Sequence, residues 1–224
     1  LADKLRRLLQ QKYDARMTYW WNAWFSSEEW QAFLSQSEGL LPAGDRSPQD
    51  GATTLAATQA LDYLVQQGRQ WQSGDWQYDS GVMEAHQQQM LATAAIGRWR
   101  LTNRALMEAS IRGAWLLEQR LGERPLCPAG RLTPQARILQ NVFQKFYAGV
   151  FQPYLSKTDR FGAGLIDYLN AISLLAPISV VDDWQRDVVA TLESERAAML
   201  QAHRGHVTKW QDILAQCAMM PGSQ

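Results

Sequence analysis

The chain is short of cysteine, histidine, lysine and net charge, and each shortage closes off a class of function. Two cysteines, Cys127 and Cys217, in 224 residues are too few for a disulfide framework and lack the clustered spacing of a zinc site. One lies in a proline-rich connector and the other near the C-terminus, so they are expected to stay unjoined. Lysine plus arginine equals aspartate plus glutamate at 22 each, with a pI near 7.0. Binding phosphates normally needs an uncompensated basic face, so neither nucleic acid nor an anionic membrane is the expected main partner, though a local basic patch is compatible with a neutral total. The sequence also has no glycine-rich phosphate loop, no dinucleotide fingerprint, no nucleophile elbow and no cysteine pair. No cofactor is expected.

Long apolar runs are missing too. The most apolar uncharged stretch, 168–181, contains Pro177 and falls short of the roughly 20 residues of a membrane-spanning helix. Residues 1–11 carry Lys4, Arg6 and Arg7 without the apolar core and small-residue cleavage site of a signal peptide. The expected location is therefore cytoplasmic, the alternative being a soluble domain of a membrane-anchored protein. What the chain does have is 46% hydrophobic residues, enough for a sizeable core. It has 10 Trp, each a large amphipathic surface that must be buried or used for contact. Its 17 Arg against 5 Lys, with abundant Gln, suggest a G+C-rich bacterial gene.

Apolar residues recur at steps of three and four nearly everywhere, and almost nothing alternates with period two, which predicts an all-α fold of about seven helices, one of them long. Leu5, Leu8, Leu9, Tyr13, Met17, Trp20, Trp21 and Trp24 mark a first helix over 1–25. Ser26-Ser27-Glu28-Glu29 reads as a capping box opening a short second helix, with Phe25 as its staple. The turn-rich 39–51 is the best loop of the N-terminal half, and the place for a mobile segment. A helix from Thr53 ends at Gly68 or at Ser73-Gly74-Asp75. The pattern over 82–121 is one very long helix or two, with Thr102-Asn103 as the break. After a connector over 123–133, Thr133-Pro134 starts a helix running to about Phe151, where Pro153 closes or kinks it. Further helices cover 156–175, ended by Pro177, and 181–219, bent at Gly205. The whole is a single domain, 1–224, with a subdivision into 1–122 and 133–224 left open.

Two constellations suggest metal chemistry, each with a plainer structural reading. Asp183 and Asp187 share a helical face and suit Mg²⁺, in a pattern similar to the acid-rich helices of isoprenoid synthases but without their second facing cluster. Asp159 and Asp167 are isolated. Acids in the first turn of a helix explain the same residues. His203 and His206, three apart, are the other weak pair, lacking a third ligand. No metal is expected at either. Gly162-Ala163-Gly164 lies in a helical pattern and points to close helix packing.

The run Trp20-Trp21-Asn22-Ala23-Trp24-Phe25 is the least ordinary feature. Trp20 and Trp24 share a face, and Trp21 lies about 100° away. Either Trp21 packs inside against the helix of Trp30 and Phe33, or it meets a partner. A sugar platform would need more than Asn22, Glu28 and Glu29. Trp20, Trp21, Trp24, Phe25 and Trp30 thus form the candidate partner surface; if they are interior that argument is lost, and if Trp21→Ala changes neither stability nor binding, the exposed face of 82–121 takes their place. The expected function is a non-enzymatic helical module that binds another protein: an adaptor, a scaffold or assembly component, or an immunity or exclusion-type factor, with self-association open. The alternatives are a Mg²⁺-dependent all-helical enzyme acting on a diphosphate and a helical pocket for an apolar ligand.

Overall fold

The computed structural model describes residues 1–35, 39–43, 49–122 and 125–219. The fold is all-α: 84% helical, with no strand among the described residues and seven helices when runs continuing through a bend are taken as one, the long ones of 35–43 residues. It forms two compact units that interleave along the chain. Unit 1 comprises Leu1–Leu101 and Phe161–Glu193, and unit 2 comprises Thr102–Arg160 and Ser194–Gln224. The division considered at the 123–133 connector does not follow these units.

Unit 1 begins with α1 (Ala2–Asp14) and α2 (Arg16–Phe25), separated at Ala15, then α3 (Glu28–Ser35) and α4 (Gln49–Gln72). The mobile-loop expectation falls partly on 44–48, outside the described residues, and Gly51 is already in α4. The Ser27 hydroxyl accepts from Trp30 N–H at 3.1 Å and caps α3, while Phe25 packs edge-on against Trp30. Next come α5 (Ser80–Thr93), whose Asp79 cap accepts from Gly81 and Val82, and α6 (Ala95–Gly122).

The break in the long pattern is at Ala94, in left-handed conformation (φ 43°, ψ 40°), and not at Thr102-Asn103. Those two polar residues are buried inside α6, where the Asn103 amide donates to the Glu195 carbonyl at 2.8 Å. A tertiary partner turned an apparent helix breaker into an interior contact.

Beyond the connector, of which 123–124 lie outside the described residues, Thr133 caps α7 (Pro134–Val142) by accepting from Ala136 N–H. Pro153 does not end this helix. The segment Phe143–Phe151 widens into π-helical turns, with Gln152 N–H reaching Tyr147 O five residues back, and α8 (Gln152–Ser173) continues directly. A proline removes one i→i−4 bond and crowds the preceding turn, and wider turns upstream absorb that defect. The last run is α9 (Val181–Trp184), a π-helical turn (Gln185–Val189) and α10 (Ala190–Ala215), which passes through Gly205.

In unit 1 the core is built from rings laid on glycines. A Cβ on Gly68 would come within 2.5 Å of the Trp20 indole, and one on Gly162 within 2.3 Å of the Trp99 indole. That is why α4 runs through Gly68 to Gln72, and it gives Gly162 the packing role its motif suggested. Gly164, by contrast, faces open space.

Gly162→Ala should therefore lose about 1–3 kcal/mol of folding stability through overpacking against Trp99. Gly164→Ala should be neutral or stabilising by up to about 1 kcal/mol, as a glycine replaced inside a helix. Chemical denaturation of the two variants side by side checks the contrast.

Candidate functional site

The tryptophan run lies inside unit 1. Trp20 and Trp24 are fully buried, and Trp21 retains only 9% exposure. Trp21 is covered by Phe25, at 4.1 Å between ring centroids, and by Trp184, at 5.1 Å; Trp184 also meets Phe25 at 5.0 Å and stacks on Trp30 at 5.7 Å. The Trp24 indole N–H donates to Gln67 Oε1 at 2.6 Å, and that of Trp184 to the Leu169 carbonyl. A partner would reach these rings only after α2 was displaced, so the interior reading of Trp21 describes the molecule.

Asp183 and Asp187 do stand on one face, but Arg186 occupies the space between them. Its guanidinium donates to Asp183 at 2.6 Å and to Asp187 at 2.9 and 3.2 Å, which holds its own pKa raised. The three side chains are exposed, and the single guanidinium is shared by both carboxylates. Among the described residues, no three His, Cys, Asp or Glu side chains are gathered as a metal site would need.

His203 and His206 enter an aromatic nest in unit 2. The Tyr147 ring lies 5.1 Å from His206, 6.1 Å from His203 and 5.6 Å from Trp210, with Phe143 and Phe151 beside them. Tyr147, Phe143 and Phe151 all come from the π-helical segment. His206 lies against Gly113 of α6, where a Cβ would fall 2.6 Å from its Nε2. Burial, helped by the neighbouring His203, pushes the His206 pKa down to about 4, and burial lowers that of His203 as well. Burial raises the Tyr147 hydroxyl to about 12. Tyr147 Oη, Nδ1 of both histidines and Trp210 Nε1 are buried without a hydrogen-bond partner, an arrangement that costs stability. Protonated imidazolium is thus excluded from this nest near neutrality.

The cysteines correct the sequence-based expectation. Cys127 and Cys217 form a disulfide, with their Cα atoms 5.3 Å apart across a separation of 90 residues, and both pack into the cluster holding Trp210, Tyr147 and Leu117. The folding of unit 2 brings the connector onto the end of α10, where Gln216 Oε1 also accepts from Leu126 N–H. Sequence distance alone carried no information about that approach.

With the tryptophan run inside, the wet aromatic and apolar surface lies elsewhere. On α6, Ile111, Trp115 and Leu116 are 53%, 56% and 60% exposed. Along 138–150, Ile138, Val142, Phe146 and Val150 make an exposed stripe at four-residue spacing. In unit 1, two open clefts of about 380 and 400 Å³ flank Trp76, one lined by Lys12, Arg16, Tyr19 and Trp71, the other by Arg6, Leu9, Gln10 and Tyr13. Trp76 and Trp115 were not singled out from sequence. The available signal was that Trp76 sits in a turn, Asp75-Trp76-Gln77-Tyr78, where no helical stripe accounts for it.

The chain belongs to the family described as "Protein of unknown function (DUF3080)", whose model matches residues 1–221. No curated protein and no solved structure matches it.

Two outcomes follow from unit 2. The unfolded chain binds a proton on His206 near pH 6.5 and the folded chain only near 4. Stability is therefore full above about pH 6.5 and falls as pH drops towards 4, by on the order of 3 kcal/mol. Thermal melts over that range should show the loss, and His206→Phe should flatten it. Replacing Cys127 and Cys217 by Ser should remove about 2–5 kcal/mol, read by denaturant melts, and mass spectrometry of the oxidised protein should recover the linked peptide.

Proposed function

We propose that the chain is a non-enzymatic bacterial helical module that binds another protein through the α6 face bearing Trp115. The observation behind this reading is an indole more than half exposed beside Ile111 and Leu116. Leaving such surface in water costs roughly 25 cal/mol per Å², and binding hot spots are enriched in Trp. The stripe Ile138, Val142, Phe146 and Val150 supplies further apolar surface in the same unit. An adaptor or assembly role fits this picture. The Mg²⁺-diphosphate alternative is disfavoured by Arg186, which already satisfies Asp183 and Asp187.

The disulfide bears on location. Such bridges persist in oxidising compartments and are rare in the cytosol. The Cys127–Cys217 link therefore supports a place outside the cytoplasm, such as a bacterial periplasm, over the cytoplasmic location the sequence suggested. Among the described residues no helix is long and apolar enough to cross a membrane.

A photo-crosslinking residue at Leu116, compared with one at exposed Asp212, tests the site in cells. The expected result is a discrete protein adduct at Leu116 only, with Trp115→Ala weakening capture about 30-fold, the scale of a hot spot, while stability changes by less than about 1 kcal/mol. An adduct of twice the chain's mass would identify the partner as a second copy. Equal labelling at both positions, or capture indifferent to Trp115→Ala, would refute the reading.

A further inference from the structure

We propose that α1 and the clefts beside Trp76 form a docking surface for an anionic lipid bilayer. This site lies in unit 1 and does not depend on the reading of the Trp115 face. None of the residues of α1 is buried. At about 100° per residue, Leu1, Leu5, Leu8 and Leu9 fall within an arc of about 100°, and Leu5, Leu8 and Leu9 are all well exposed. Lys12 falls inside the same arc, and Lys4 and Arg6 flank it on opposite sides. An apolar stripe flanked by cations and ending, one turn on, in Lys12 is the pattern of helices that lie in the headgroup region.

The surroundings extend the match beyond the helix. Tyr19 and Tyr78 are exposed and Tyr13 partly so. Trp76 packs edge-on against Tyr13 at 5.7 Å, and Trp71 lies tilted against Tyr78 at 5.5 Å. Aromatic rings with one apolar body and one polar end concentrate at the membrane–water boundary. The cleft of about 380 Å³ is lined by Lys12, Arg16, Tyr19, Trp71 and Trp76 with no carboxylate among them, a wall suited to a phosphate headgroup.

The surface is held in place from beneath. Arg16 donates to the carbonyls of Trp71, Gln72 and Tyr13 at 2.8–2.9 Å and lies 4.0 Å above the Tyr13 ring. It thereby closes the C-terminal end of α4 and ties it to the α1–α2 junction. Gly74, at φ 98°, brings the following turn against Tyr13, where a Cβ would sit 3.3 Å from the ring. Charge decides between occupants: an apolar partner protein would leave Lys4 and Lys12 unmatched, whereas an anionic leaflet meets both, Arg6 being paired with Asp3 at 3.1 Å.

The test is co-sedimentation of the full chain with vesicles of phosphatidylcholine alone and of phosphatidylcholine with phosphatidylglycerol, at low and high salt. Binding should require phosphatidylglycerol and weaken with salt. Lys4→Gln and Lys12→Gln should each reduce it about fivefold, and the double variant Leu5→Ser/Leu9→Ser at least about tenfold. The lysine variants keep the apolar stripe, so loss of helix in α1 cannot account for their effect, and Trp115→Ala should bind vesicles as the unaltered chain does. Equal binding to both vesicle types, no binding to either, or lysine variants that bind undiminished would overturn the proposal. So would a crosslinker at Leu9 that captures a protein while vesicles leave it unlabelled.

Discussion

Three rings set the closeness of helix packing in this molecule, and each rests on a glycine. Trp20 lies on Gly68 and Trp99 on Gly162 in unit 1, and His206 lies on Gly113 in unit 2. A flat ring can press on a helix only where no Cβ stands, and a glycine inside a helix costs about 1 kcal/mol relative to alanine. That cost is offset when the ring above is large and wholly buried, since an indole removes 150–250 Å² from water. The rest of the core follows from these placements. Trp24 beside Trp20 reaches Gln67 on the helix that carries Gly68, and Tyr147 meets His206 because Gly113 admits that ring so closely.

Helix class and most starts were legible because they depend on neighbours in sequence. Ser27, Asp79 and Thr133 cap helices with their own side chains, and the three-to-four spacing of leucines needs no tertiary knowledge. Interruptions were not legible, because they depend on partners far along the chain. Thr102-Asn103 looks like a break until Glu195 supplies an acceptor. Ala94 looks helical, yet it holds the left-handed turn. Pro153 looks terminal, yet wider turns upstream accommodate it. The helical wheel placed Trp21 off the main stripe correctly, but whether that direction meets water or a neighbour was decided by Trp184, more than 160 residues later.

Unit 2 is packed differently, with polar-tipped rings in its interior while Ile111, Trp115, Leu116 and Phe146 stand in water. Its nest mixes Tyr147, His203, His206 and Trp210, whose polar atoms go unpaired, and such groups weaken a core. The disulfide offsets that weakness from the edge of the same cluster. Closing a loop of 90 residues removes on the order of 4–5 kcal/mol of chain entropy from the unfolded state in the loop-closure account. A polar core with lowered histidine pKa values and a covalent staple beside it are two halves of one solution.

Net charge is a sum, and acids and bases are spent in different ways. Many carboxylates are engaged within the fold: Asp159 with Arg196 at 2.7 Å, Glu118 with Lys209 at 2.8 Å, Asp183 and Asp187 with Arg186, and Asp79 on the backbone of α5. Residues 125–158 contain no Asp or Glu at all, yet carry Arg131, Arg137, Lys145 and Lys157. On α1, Asp3 pairs with Arg6, and Lys4 and Lys12 have no carboxylate partner among the described residues. Exposed ion pairs contribute little to stability, but they fix which charges a visitor meets. A chain of formal charge zero can therefore present faces of one sign, and the faces that do so here also expose leucine, isoleucine and phenylalanine. Coincidence of Lys4 and Lys12 with wet leucines on α1, and of Arg137 and Lys145 with wet apolar side chains along 138–150, is what a surface built for contact requires, since either feature alone is solvated cheaply.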